Sequence, residues 1–259
     1  MKRIYFLLVG LLILTGFANA QDQFQKKVFI NGNDTLPYRL LLPLDYDANK
    51  AYPLLIFLHG AGERGNDNEK QLVHGAKMFL VDSVRKNYPA IVVFPQCSTT
   101  SFWASIGFTI DSVTKKRSIS FNADNKPSAA MKSLMALYKQ LHKDHKIDKD
   151  RQYAGGLSMG AMGTFELVNR LPDTFAAAFA ICGGGDTSTV EKLKPTAWWI
   201  FHGLEDAVVD PQFSKDMAAA LEQNGAEVKL SLYPAVNHNS WDNAFKEPDF
   251  FSWIFSHKK

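Results

Sequence analysis

YAGGLSMGAMGTF, residues Tyr153–Phe165, passes from a strand-like run into a helical one with no loop between them. Inside it lies Gly156-Leu157-Ser158-Met159-Gly160, a G-x-S-x-G that chance alone would supply in roughly one chain in ten of this length. The context gives the motif its meaning. Where a strand turns sharply into a helix, a serine at the corner is lifted above the sheet edge. The positions two before and two after it must then be small, because a side chain there would meet the neighbouring strand or helix. Gly156 and Gly160 satisfy that requirement, so Ser158 is read as a nucleophile.

Working outward, short apolar runs alternate with longer segments of helical periodicity, the pattern of a mostly parallel sheet covered by helices on both faces. Eight strands are expected: 24–30, 35–42, 54–58, 90–94, 152–155, 177–181, 197–201 and 229–233. The first two, joined at "NGND", read as an antiparallel hairpin. The others are continuously apolar, as strands buried on both faces should be. Helices are expected at 69–86, 128–145, 159–170, 211–224 and 241–257. Asp210-Pro211 gives the fourth a capping residue and a first-turn proline, and Asn224-Gly225 closes it. Residues 98–126 show no such pattern and read as a long aromatic and polar insertion at a strand end.

A serine hydroxyl attacks only when a base takes its proton and an acid orients that base. In a strand–serine–helix arrangement the acid and then the histidine follow in chain order. His238, in "PAVNHNSW" after the last strand, is the expected base; His257 lies near the C-terminus in a helix, and His202 ends a strand ahead of every candidate acid. Three acids compete in "FHGLEDAVVDP": Asp206, favoured by its place third after Gly203, with Asp210 and Glu205 as alternatives. Two backbone N–H groups should face the developing oxyanion, one from Met159 and one from Ala61 in "HGAGERG" after the third strand. His59 reads as a brace for that turn, and Glu63 and Arg64 as an ion pair holding it, with a direct substrate contact by Arg64 as the alternative. Phe102, Trp103 and Phe108, with Trp241 beside the base, read either as an aromatic wall for substrate or as packing for the loop.

Residues 1–20 have the order of a secretory signal: Lys2 and Arg3, an apolar run from Ile4 to Leu14, then Ala18-Asn19-Ala20 as a cleavage site. The run is shorter than the roughly 18 to 20 residues of a membrane span. The expectation is a periplasmic or secreted protein with no membrane anchor after cleavage, leaving residues 21–259 as one domain. Cleavage removes two cations and takes the net charge from +3 to +1, which offers nothing to attract nucleic acid.

Together, "LHGAGERGND", "FPQC", "RQYAGGLSMGAMGTFELVNRLPDTFAAAFAICGGGD", "WWIFHGLEDAVVD" and "HNSWDNAF" resemble the secreted α/β-hydrolase-fold serine hydrolases of the phospholipase/carboxylesterase and predicted-peptidase kind, akin to the feruloyl-esterase and dienelactone-hydrolase branches. The likeness spans about residues 36 to 255. It implies a triad of Ser158, Asp206 and His238, an acyl-enzyme route on a small-molecule or polysaccharide-linked carboxylic ester, and no cofactor or metal. Ala161 stands where relatives often carry a third glycine. A peptidase of the prolyl-oligopeptidase type and a non-catalytic binding module are the rival readings. The family's strand order also implies that Cys97 and Cys182 end strands separated by two others, about 14 Å at the usual spacing. That is too far for a disulfide, so two buried free thiols are expected.

Overall fold

The computed structural model describes residues 23–32, 34–110, 112, 117–122 and 126–259; the expected signal segment lies outside the described residues. An eight-stranded sheet runs through the molecule. Its strands are β1 (Gln25–Asn31), β2 (Asp34–Leu41), β3 (Tyr52–Leu58), β4 (Ile91–Pro95), β7 (Ile147–Leu157), β8 (Ala177–Ile181), β9 (Ala197–Gly203) and β10 (Val228–Tyr233), in the order β1-β2-β4-β3-β7-β8-β9-β10. β1 pairs antiparallel with β2, and β2 antiparallel with β4; every other pairing is parallel. The chain is thus an α/β fold of the class its sequence pattern implies.

Period-two alternation divides each central strand between two cores. Leu54, Ile56 and Leu58 of β3 face a core shared with α2 (Ala129–Asp144), α3 (Met159–Arg170) and α5 (Gln212–Gln223). Leu55 and Phe57 face the other, closed by α6 (Trp241–Ala244), α7 (Phe250–Ser256) and the turns around Leu72 and Phe79. Ser128 caps α2 by accepting the Met131 N–H at 3.0 Å, and Leu134, Leu137 and Leu141 carry its buried stripe. α1 (Asp82–Asn87) and α4 (Val190–Leu193) are short connections. Among the described residues no helix is long and apolar enough to cross a membrane.

Three expectations need correction. Residues 69–86 are 3-10 turns at Lys70–Leu72 and Ala76–Leu80 followed by α1, not one helix. Gly75 breaks the run with φ +81°, at a point where a Cβ would lie 3.1 Å from the Phe57 ring. The last helix is likewise divided into α6 and α7, because Pro248 cannot continue an α-helical ladder. The 98–126 insertion, read as irregular, contains a separate two-stranded antiparallel sheet, β5 (Ile106–Ile110) with β6 (Arg117–Phe121). Both cysteines are free and buried, at the ends of strands with β3 and β7 between them.

Candidate active site

Ser158 sits between the end of β7 and the start of α3 with φ +52° and ψ −118°, a conformation that L-residues seldom adopt. Its N–H is anchored to the Ile181 carbonyl at 2.8 Å. The flanking glycines are required by space: a Cβ on Gly160 would lie 1.9 Å from the Leu58 carbonyl oxygen, and one on Gly156 would lie 2.6 Å from it. β3 and α3 therefore approach closely enough to force the corner.

The loops after β9 and β10 are folded onto each other. The Glu205 N–H reaches the Val236 carbonyl at 3.0 Å, and the Asn237 Oδ1 accepts both the Ala207 N–H at 3.1 Å and the His238 N–H at 2.7 Å. A Cβ on Gly203 would collide with Val236 O at 2.3 Å, so this contact also depends on a glycine. The result brings His238 Nε2 to 2.9 Å from Ser158 Oγ and His238 Nδ1 to 2.7 Å from Asp206 Oδ2. With Nδ1 donating to a carboxylate, Nε2 is left to accept the serine proton.

Asp206 is the acid in this line. Its Oδ1 accepts the Val208 N–H at 2.8 Å and the Val209 N–H at 2.9 Å, while Oδ2 accepts from His238 and from His202 Nε2 at 3.1 Å. Burial alone would raise this carboxyl; the hydrogen bonds from His202, His238, Val209 and Val208 outweigh it and hold the group well below the usual carboxylate range. Asp210 instead accepts the Gln212 N–H at 2.9 Å ahead of α5 and lines the adjoining cavity. Glu205 is exposed, and His257 is engaged by the Trp253 carbonyl at 2.7 Å and by Glu227 at 3.0 Å.

Ala61 and Met159 each begin a helical turn, so their N–H groups have no partner within it, and both residues line the same cavity as Ser158. His59 braces that turn: Nδ1 donates to the Gly60 carbonyl at 2.6 Å and Nε2 accepts the Cys97 N–H at 3.0 Å. Burial pushes its imidazole down to about 4, with the Gly60 carbonyl only partly opposing, so it stays neutral. The expected Glu63–Arg64 ion pair does not form. Glu63 faces His74 at 3.7 Å, whereas Arg64 donates to the carbonyls of Ala61 (3.1 Å) and Thr99 (3.2 Å) and lies 4.6 Å above the Phe102 ring.

A cavity of about 290 Å³ opens beside Ser158, walled by Phe102, Ile106, Phe108, Ile119, Met162 and Phe213. Of the four aromatics expected to contact substrate, Phe102 and Phe108 line it. Trp103 does not: it is fully buried, edge-on to His59 at 5.4 Å, and packs under the site. Trp241 stands behind the base, T-shaped to His238 at 5.6 Å and over His74 at 4.9 Å. Sequence reading missed Ile106 and Ile119 on the hairpin, Met162, Val209, Phe213 and His202. The alternation of Ile106, Phe108 and Ile110 was the one local signal for the hairpin.

Comparison with known proteins agrees with this architecture. A probable feruloyl esterase C of Aspergillus niger is 25% identical over 226 residues, which is 86% of this chain and 72% of that protein. A thermostable esterase of known structure superposes with a TM-score of 0.82 at 32% identity, covering 93% of this chain; the chain spans 64% of that protein's length. A ferulic acid esterase of Anaeromyces mucronatus shares the fold, with a TM-score of 0.64 at 18% identity over 90% of both chains. The family model described as phospholipase/carboxylesterase matches residues 45–251, so the chain belongs to the phospholipase/carboxylesterase family of α/β-hydrolase-fold serine hydrolases.

Proposed function

We propose that the protein hydrolyses carboxylic esters through an acyl-enzyme, with Ser158 as nucleophile, His238 as base and then acid, and Asp206 as the group that orients and stabilises the imidazolium. The observation that carries this reading is the unbroken hydrogen-bonded line Ser158–His238–Asp206 at the edge of an apolar cavity. Ser158 Oγ attacks the ester carbon as its proton passes to His238 Nε2, and the N–H groups of Ala61 and Met159 receive the oxyanion. Collapse expels the alcohol with the proton from His238. Water then attacks the acyl-enzyme by the same route.

The wall of Phe102, Ile106, Phe108, Ile119 and Phe213 suits an aromatic or branched acyl group. A hydroxycinnamoyl ester on a polysaccharide is the proposed natural class, in keeping with the name of the curated relatives. Export is also proposed, on the strength of Lys2-Arg3, the apolar run and Ala18-Asn19-Ala20; N-terminal sequencing of the protein recovered outside the cytoplasm should begin near Gln21.

The test is hydrolysis of p-nitrophenyl acetate, methyl ferulate, acetylated xylan and a peptidyl anilide by wild type and Ser158→Ala. The reading requires ester turnover that falls by roughly 10³-fold or more in the variant, and fluorophosphonate labelling of wild type alone. Equal rates for the two proteins, or faster anilide than ester cleavage, would sink it.

A further inference from the structure

His202 ends β9 inside the core and is fully buried. A buried imidazole must account for both of its nitrogens. Nε2 lies 3.1 Å from Asp206 Oδ2 and 3.1 Å from the Val209 carbonyl oxygen. Both are acceptors, so Nε2 carries a proton and donates it. Nδ1 lies 2.7 Å from Ser214 Oγ, itself 2.8 Å from the Gly183 carbonyl. If the Ser214 proton is on Gly183 O, Nδ1 must also donate and the ring is charged. If that proton is turned to Nδ1, the ring is neutral. Nε2–H is shared between Asp206 Oδ2 and the Val209 carbonyl in either case.

We propose that His202 is a positioning residue for the hydrolytic line: it supplies the fourth hydrogen bond to the Asp206 carboxylate, on the oxygen that His238 uses, and so fixes that oxygen's direction against the His238 imidazole. The inference rests on the reading of Ser158, His238 and Asp206 as the reacting line. Val208 and Val209 occupy Oδ1, and His238 and His202 occupy Oδ2, so the carboxylate's roughly four lone-pair sites are all engaged. A carboxylate held at both oxygens cannot rotate away from the imidazole. A second donor on Oδ2 also withdraws charge from the atom that stabilises the His238 imidazolium. Without it, Oδ2 would bind the imidazolium more strongly and His238 would hold its proton to higher pH.

The groups facing this pair from neighbouring elements are the Cys182 thiol at the end of β8, Ser158 at the β7–α3 corner and Ser214 on α5, with Asp210 beyond Val209 on the cavity side. Burial first, and then the Asp206 carboxylate, push the Cys182 thiol above the ordinary thiol range, so it stays protonated at neutral pH. Among the described residues, His202 and His238 are the two side chains that donate to Oδ2.

The test compares the pH dependence of kcat/KM for wild type, His202→Leu and His202→Gln on p-nitrophenyl acetate. A glutamine amide can place a donor near the position of Nε2, whereas leucine cannot. His202→Leu should lower kcat by on the order of tenfold and move the acid-limb midpoint up by roughly half a pH unit or more. His202→Gln should bring the midpoint back toward wild type. A purely structural role would lower Tm and amplitude in both variants with the midpoint unmoved, and that result overturns the proposal. If the leucine variant does not fold, wild type labelled with ¹⁵N-histidine decides. The His202 Nε2–H resonance should shift in step with the His238 titration, and a resonance that ignores it counts against the proposal. Wild type without ester turnover or labelling would refute the hydrolase reading itself, which keeps the two failures apart.

Discussion

Replacing Asp206 with Asn would leave the Val208 and Val209 N–H groups an acceptor but set an amide NH₂ against two imidazole N–H donors. His238 would then adopt the tautomer that cannot take the serine proton, and kcat should fall roughly 10³- to 10⁴-fold. Glu205→Gln, at an exposed position of the same loop, should stay within a few-fold of wild type in the same steady-state assay. His59 predicts a pH effect of definite sign. Its folded imidazole is held at about 4 against 6.5 for a free imidazole, so between those values the unfolded chain binds a proton that the folded one refuses. Stability therefore falls as the pH drops through that window. His59→Gln should flatten this part of the curve in urea-unfolding measurements while lowering stability at neutral pH. At this scale the sequence was legible where chain order and motif spacing act, which is why Ser158 and His238 stood out. The choice between Asp206 and Asp210 was less so, since both lie in one loop and are separated only by where the Val208 and Val209 N–H groups point. The contact between His202 and Asp206 depends on how the turn after β9 folds back, which no local pattern displays.

Gly160 is the point at which α3 touches β3. A methyl group there would have to displace the Leu58 carbonyl, so Gly160→Ala should destabilise the protein by about 3 kcal/mol, read as a drop in Tm together with loss of turnover. The β5–β6 hairpin predicts a different kind of effect. Phe108→Ala removes part of the cavity wall and none of the hydrogen-bonded line. KM for methyl ferulate should rise by roughly tenfold, while kcat/KM for p-nitrophenyl acetate changes little; equal losses on both esters would show that the residue does not select the acyl group. The central strands were readable from their continuous apolar runs, and α2, α3 and α5 from their helical apolar period, with Asp210-Pro211 and Asn224-Gly225 bounding the last of these. The hairpin was obscured by glycine and by polar residues that face out of a two-stranded sheet. The 69–86 and 241–257 segments failed as single helices for definite causes: Gly75 at positive φ in one, Pro248 in the other.

Across the whole molecule, the strand order fixes the fate of both thiols. Cys97 and Cys182 are kept apart by β3 and β7, and burial pushes the Cys97 thiol up to about 12. A reductant should therefore leave Tm unchanged, and an aromatic disulfide reagent should titrate both thiols only after denaturation. Rapid modification of the native protein would contradict their burial. The sheet order itself was readable only through the resemblance, because strand pairing is non-local and period alone does not reveal which strand lies beside which. The hairpin remains apart from that sheet. It is held by the Ser105 N–H on Glu166 at 2.5 Å and by Phe121 against Phe213 at 5.4 Å, whereas Ser158, Asp206 and His238 hang from the strands beneath. The cavity wall that this hairpin supplies can therefore be exchanged piece by piece without moving the three hydrogen-bonded groups beneath it.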